Sequence, residues 1–144
     1  MRLQLALNVR NLDEAIAYYG KLFDAEPHKV RPGYANFAID VPPLKLVLFE
    51  NPDAGERLNH LGVEVFAQSD LNDAAARLSD IGILDELETE TTCCHATQNK
   101  VWSKEPQGLA WEWYRITDDN PDVAAAPSTG VCCERAASAA KCCG

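Results

Sequence analysis

All six cysteines of this 144-residue chain occur as neighbours: Cys93-Cys94, Cys132-Cys133 and Cys142-Cys143. Adjacent cysteines make poor disulfides with each other, because the small closed ring strains the peptide between them. As reduced thiols they suit a different task, the chelation of a soft, thiophilic ion or metalloid. The first doublet lies in "TTCCHATQNK", just ahead of a strand-like segment. A second candidate chemistry lies in "GLAWEWYRI", where strand alternation puts Glu112 beside Ala110 and Tyr114 and opposite Trp111 and Trp113. A carboxylate among such neighbours is costly to desolvate without a positive partner, and a divalent cation would offset that cost. Taken alone, Glu112 reads more plainly as a partly exposed edge-strand residue.

The elements that must position these groups come from a repeat. "QLALNV" (Gln4 to Val9) matches "HLGVEV" (His60 to Val65). Leu5, Leu7 and Val9 correspond to Leu61, Val63 and Val65, an aliphatic face suited to packing against a helix. Gln4, Ala6 and Asn8 correspond to His60, Gly62 and Glu64, a face of polar and very small residues suited to lining a cleft. Each strand leads into a helix. In "NLDEAIAYYGKLF", Asn11 can cap, Glu14 can complete a capping box, and Leu12, Ile16, Tyr19 and Phe23 form the apolar stripe. In "SDLNDAAARLSDIG", Ser69 or Asp70 can cap and Gly82 can end the helix. Strand-like segments follow at roughly 25–31, 34–40 and 44–50, then at 84–91, 95–103 and 109–116, with "RPGY", "VPPL" and "EPQG" as turns. The order is βαβββ twice, an α+β arrangement with modules at about 1–56 and 57–117. The tail 118–144 is rich in Ala, Ser, Asp and Cys with almost no large apolar residue, and reads as a flexible extension.

Composition narrows the function classes. A net charge of −9 argues against nucleic acid and anionic membrane as partners. There is no 18-residue apolar run and no signal-peptide core, so the expected location is cytoplasmic, where thiols stay reduced.

The doubled βαβββ order over residues 1 to about 117 resembles the vicinal oxygen chelate superfamily, which includes glyoxalase I, extradiol dioxygenases and fosfomycin-resistance proteins. The resemblance implies two modules forming an open curved mixed sheet that cups a metal. It also implies ligands on the first strand of each module and on the last strand of the second. The matching residues are Gln4, His60 and Glu112, spaced 56 and 52 apart as two near-equal modules require. Some superfamily members add a ligand from the last strand of the first module. Here that strand reads "LKLVLFE", apolar near Val47 and Leu48, with Glu50 too distal. Three ligands leave positions open for substrate or O₂. One carboxylate with two neutral ligands approximates the facial triad of non-haem iron(II) oxygenases, with Gln in place of one His. That substitution leaves the metal open at this point: Fe²⁺, Mn²⁺, Ni²⁺ or Zn²⁺ would fit.

Within that superfamily, "LQLALNV", "VRPGYANFAI", "PPLKLVLFENP", "LNHLGVEV" and "TTCCHATQNKVW" resemble the carbon–arsenic lyases of arsenic-resistance operons and the related cadmium-induced proteins. The resemblance implies a dioxygenase that uses Fe²⁺ and O₂ to cleave the carbon–arsenic bond of methyl- or aryl-arsenite, with Cys93 and Cys94 binding the trivalent arsenic. Tyr34, His95 and Lys100 are further substrate-binding candidates. As a lone residue Lys100 reads as an ordinary solvated lysine. His95, if cationic, would lower the pKa of the thiols beside it. Gln98 and Asn99 would line the loop or merely turn it, and His28 carries no signal. Cys132, Cys133, Cys142 and Cys143 would accept released arsenite or bind cadmium, or serve no function. Two other readings stand beside the lyase. One is a non-enzymatic cadmium- or arsenite-binding protein. The other is a different enzyme of the superfamily, which has no evident use for Cys93-Cys94. Homodimerisation is common in the fold, so a homodimer is a further expectation.

Overall fold

The two matched segments form the adjoining strands at the middle of the structure. The computed structural model describes residues 1–93 and 95–121. Strand β1 (Arg2–Val9) leads through helix α1 (Leu12–Phe23) to β2 (Lys29–Arg31), β3 (Tyr34–Ile39) and β4 (Leu44–Glu50). The second module repeats this as β5 (Leu58–Glu64), α2 (Gln68–Asp80), β6 (Leu84–Cys93), β7 (Ala96–Lys104) and β8 (Ala110–Asp118). All eight strands join one sheet in the order β2-β3-β4-β1-β5-β8-β7-β6. Within each module the first and last strands pair parallel, β1 with β4 and β5 with β8. Between modules β1 pairs antiparallel with β5. The expected α+β fold is therefore present.

The helices cover one face. Val9, Phe37, Leu46 and Leu48 form a buried cluster against Leu12, Ile16, Tyr19 and Phe23 of α1. Val65 and Val101 form its counterpart with Leu71 and Leu78 of α2. The Asn11 side chain accepts from the Glu14 backbone N–H at 3.0 Å, as expected of a cap. Helix α2 starts earlier than the sequence indicates: its N-cap is Ala67, which makes no side-chain cap bond. Gly82 takes a left-handed φ of 72° just past the end of α2, the conformation that favours glycine there. Strand β2 is shorter than the 25–31 segment expected, starting only at Lys29.

The other face is concave. Although β2 and β6 are the sheet's opposite edges, Lys29 on β2 donates to the carbonyl of His95 in the β6–β7 turn at 2.9 Å. Lys29 also donates to Asp119 Oδ1 at 2.8 Å, just beyond β8. The sheet thus curls until its edges meet through one buried lysine. No helix among the described residues is long and apolar enough to cross a membrane. The expectations for Cys94 and for residues 122–144, including the tail doublets, lie outside the described residues.

Candidate functional site

Register brings the predicted ligands together. Gln4 on β1 lies opposite Gly62 on β5, which in turn lies opposite Glu112 on β8. His60 is two residues before Gly62 and so shares its face. Gln4 Nε2 lies 3.0 Å from His60 Nε2 and donates to Glu112 Oε1, and His60 Nε2 is 3.2 Å from the same oxygen. All three side chains are buried. Gly62 keeps the space between them open: a Cβ there would lie 2.8 Å from Glu112 Cγ and 3.4 Å from Gln4 Nε2.

The tautomer of His60 follows from a chain of hydrogen bonds that ends on a backbone oxygen. The Glu56 carbonyl can only accept, so Asn8 Nδ2 donates to it at 3.0 Å. Asn8 Oδ1 must then accept from Asn59 Nδ2, also at 3.0 Å. Asn59 Oδ1 is left to accept from His60 Nδ1, at 2.7 Å. His60 therefore carries a proton on Nδ1, and Nε2 is the nitrogen available to a metal or to a second proton.

Glu112 is held ionised. Burial raises its pKa, but the charges and hydrogen bonds of Lys100 and His60 outweigh that and bring it down to about 2. Lys100 Nζ donates to Oε2 at 3.0 Å, which leaves Oε1 directed towards Gln4 and His60. The donor set suits a divalent cation. It offers a fixed imidazole nitrogen, an ionised carboxylate oxygen and a neutral amide. In the structure the electropositive Gln4 NH₂ occupies the position facing both acceptors, as a cation would. Turning that amide about its last bond would present Oε1 instead.

Module symmetry also locates the fourth position. β5 pairs with β8 so that Gly62 meets Glu112; the corresponding pair of β1 and β4 is Ala6 and Val47. Val47 is buried and apolar, so this position supplies no ligand. Glu50 is employed elsewhere, accepting the Leu12 N–H at 3.0 Å at the start of α1.

Gln4, His60, Glu112 and Val47 line a cup with about 450 Å³ of empty space, which includes its open mouth. Tyr34 lies in its wall, with its ring 5.7 Å from Phe49. Lys100 also lies there, only 3% exposed, so the solvated reading of that residue is corrected. Alternation along β7 turns Gln98, Lys100 and Trp102 inward together, and Glu112 supplies the counter-charge that makes the burial tolerable.

The thiol turn borders the cup. Cys93 ends β6, is buried and accepts from Gln98 Nε2 through its carbonyl at 3.0 Å. It is disulfide-bonded, which corrects the expectation of a reduced thiol there. A dithiol and its disulfide differ by two electrons, so an exchange with external thiol interconverts them. The cup wall includes Ala96 and Gln98, while Cys93 and His95 stand outside it. The His95 ring lies 5.3 Å from that of Tyr34. Burial, then Arg31 and Lys29, lower its pKa, so it is not the cation that would activate the thiols. Asn99 turns away from the cup to accept the Glu90 N–H at 2.7 Å and to donate to Gln68. His28 is exposed and pairs with Asp119 at 2.8 Å.

Sequence reasoning missed Lys29, Asn36, Lys45 and Tyr114, which also line the cup. The period-two alternation of "LKLVLFE" does place Lys45 on one face with Val47 and Phe49, and that signal could have found it.

Residues 3–113 match the Glyoxalase/Bleomycin resistance protein/Dioxygenase superfamily. A cadmium-induced protein, CadI, of Mycobacterium tuberculosis is 50% identical over 92% of this chain and 93% of its own. A trivalent organoarsenical cleaving enzyme of Thermomonospora curvata is 48% identical over 99% of both chains. Among solved structures, the Mn(II)-bound glyoxalase of Novosphingobium aromaticivorans aligns with a TM-score of 0.59 at 18% identity, over 85% of this chain and 41% of that one. The fold likeness extends to a methylmalonyl-CoA epimerase of Streptomyces coelicolor, with a TM-score of 0.52 at 14% identity over 79% of this chain and 95% of that one.

Proposed function

The chain belongs to the glyoxalase/bleomycin resistance protein/dioxygenase superfamily, in the group of the cadmium-induced protein and the trivalent organoarsenical cleaving enzymes, and on that premise we propose that it releases arsenite from trivalent methyl- or aryl-arsenicals in a reaction requiring Fe²⁺ and O₂. The observation that carries this reading is the convergence of Gln4, His60 and Glu112 in a cup bordered by the turn of Cys93.

The metal would be held by His60 Nε2, Glu112 Oε1 and the turned Gln4 amide. Iron(II), when bound, would supply the redox chemistry that O₂ needs to react with a carbon–arsenic bond. The remaining tasks fall to the chain's own residues. Lys100 keeps Glu112 ionised and engages the one oxygen that faces away from His60. Asn59 fixes the imidazole so that Nε2 faces the cup. Two thiols, Cys93 and Cys94, would each exchange with a hydroxyl of R–As(OH)₂. Two As–S bonds form, two As–O bonds break and two waters leave. The carbon substituent then has its orientation fixed before reaction, which prepays part of the entropy of activation. The disulfide at Cys93 must be reduced first.

The test is direct. Thiol-reduced protein is loaded anaerobically with Fe²⁺, given phenylarsenite and then exposed to O₂. Arsenite is expected only when all components are present, and its absence would refute the reading. The likeness to the cadmium-induced protein favours a second reading, capture of Cd²⁺ by thiols without catalysis. That reading predicts tight Cd²⁺ binding that survives His60→Ala.

A further inference from the structure

Three lysines line the cup, and two have counter-charges in contact: Lys29 with Asp119 and Lys100 with Glu112. Lys45 has none. It is 3% exposed and makes no hydrogen bond or ion pair among the described residues, with Glu64 and Asp119 acting on it only at a distance. A buried ammonium without a partner is costly, and an anionic ligand that accepts from it would offset that cost. Among the described residues, two further polar atoms of the same cavity lack partners. They are Tyr114 Oη and Asn36 Oδ1, both buried. The Tyr114 phenolic hydroxyl can donate as well as accept.

We propose that Lys45, Tyr114 and Asn36 form a subsite for an anionic group carried on the ring of an aryl substrate. Register gives the scale: Lys45 on β4 lies directly opposite the ligand residue Gln4 on β1, so the subsite adjoins the metal position on the first module's side. The adjoining wall is suited to a flat ring, since Tyr34 and Phe49 pack at 5.7 Å and Val47 is buried beside them. A carboxylate takes the Lys45 ammonium and the Tyr114 hydroxyl as donors. A hydroxyl next to it on the ring would satisfy the remaining acceptor, Asn36 Oδ1. The overall charge of −9 repels anions from the surface, so recognition depends on this local cation. That the ring also carries arsenic rests on the function proposed above; the anion subsite itself does not.

Two measurements separate the claims. The first titrates benzoate and benzamide into the wild type, Lys45→Met and Lys45→Arg, following ring shifts of Tyr114 by NMR. Benzoate should bind at least tenfold more tightly than benzamide. Lys45→Met should remove that preference and Lys45→Arg should keep most of it. Tyr114→Phe, which preserves the ring, should weaken benzoate about fivefold and decides the matter if Lys45→Met does not fold. Benzoate that does not bind, or binds equally to all variants, overturns the subsite. The second measurement compares kcat/KM for 4-carboxyphenylarsenite with that for phenylarsenite. The ratio should fall at least tenfold in Lys45→Met, and an unchanged ratio overturns the substrate assignment. Benzoate bound as expected with no arsenite released from either compound refutes the cleavage reading and leaves the subsite standing.

Discussion

Gly62 sets the space in which three side chains converge. A methyl there would meet Glu112 Cγ at 2.8 Å and the Glu112 carbonyl oxygen at 3.1 Å. The second contact is with backbone in a paired strand, which cannot move aside alone. Gly62→Ala should cost about 1–3 kcal/mol by overpacking and should weaken Fe²⁺ binding at least tenfold. A thermal melt and an anaerobic Fe²⁺ titration measure the two effects; unchanged affinity would show that the glycine is not part of the metal site. Lys100 makes a second prediction at this scale. A carboxyl whose pKa is lowered from 4.5 to about 2 adds stability that is complete above 4.5 and is lost as pH falls towards 2. Lys100→Met removes the largest charge opposing burial, so Glu112 should protonate at higher pH and the acid loss of stability should begin earlier. Breaking the buried pair should also cost roughly 3–5 kcal/mol at neutral pH. Urea unfolding between pH 2 and 7 reads both effects, and an acid limb identical to the wild type would contradict them. The lysine's role was not legible in the sequence, because a single Lys carries no mark of burial. Its counter-charge lies 12 residues away on the next strand.

At the scale of elements, the thiol turn is held from the opposite edge of the sheet. Lys29 on β2 donates to the His95 carbonyl and to Asp119, so one side chain links β2, the β6–β7 turn and the end of β8. Lys29→Met should speed hydrogen exchange across residues 93–97 while leaving Fe²⁺ affinity within about twofold. Mass-spectrometric exchange and the same titration distinguish this from general loosening, in which both would change. The main elements could be read from the chain because local rules and tertiary packing agree. Leu5, Leu7 and Val9 alternate towards α1, and Asn11 caps it. The start of α2 was misplaced because Ser69 and Asp70 look like caps, while the chain turns helical earlier, at Gln68 after an uncapped Ala67. Position along a strand was legible, but register between strands was not. Gln4 and His60 could be aligned through the repeat and Glu112 through the family resemblance; Lys45, opposite Gln4, has no counterpart that would mark it.

For the whole molecule, the two modules pair through β1 and β5, so each contributes part of the metal site and neither holds it alone. The disulfide at Cys93 adds a condition on the entire protein: the oxidised form should bind Fe²⁺ but not arsenic. The central claim is that metal and arsenic are held by separate residues in one cup. The measurement that tests it most directly is a crossed comparison of reduced wild type, His60→Ala and Cys93→Ser. Each is assayed for bound Fe²⁺, for the phenylarsenite adduct by intact mass, and for arsenite released after O₂. His60→Ala should keep the adduct and lose iron, Cys93→Ser should keep iron and lose the adduct, and only the wild type should release arsenite. Arsenite release by either variant at the wild-type rate would contradict the account.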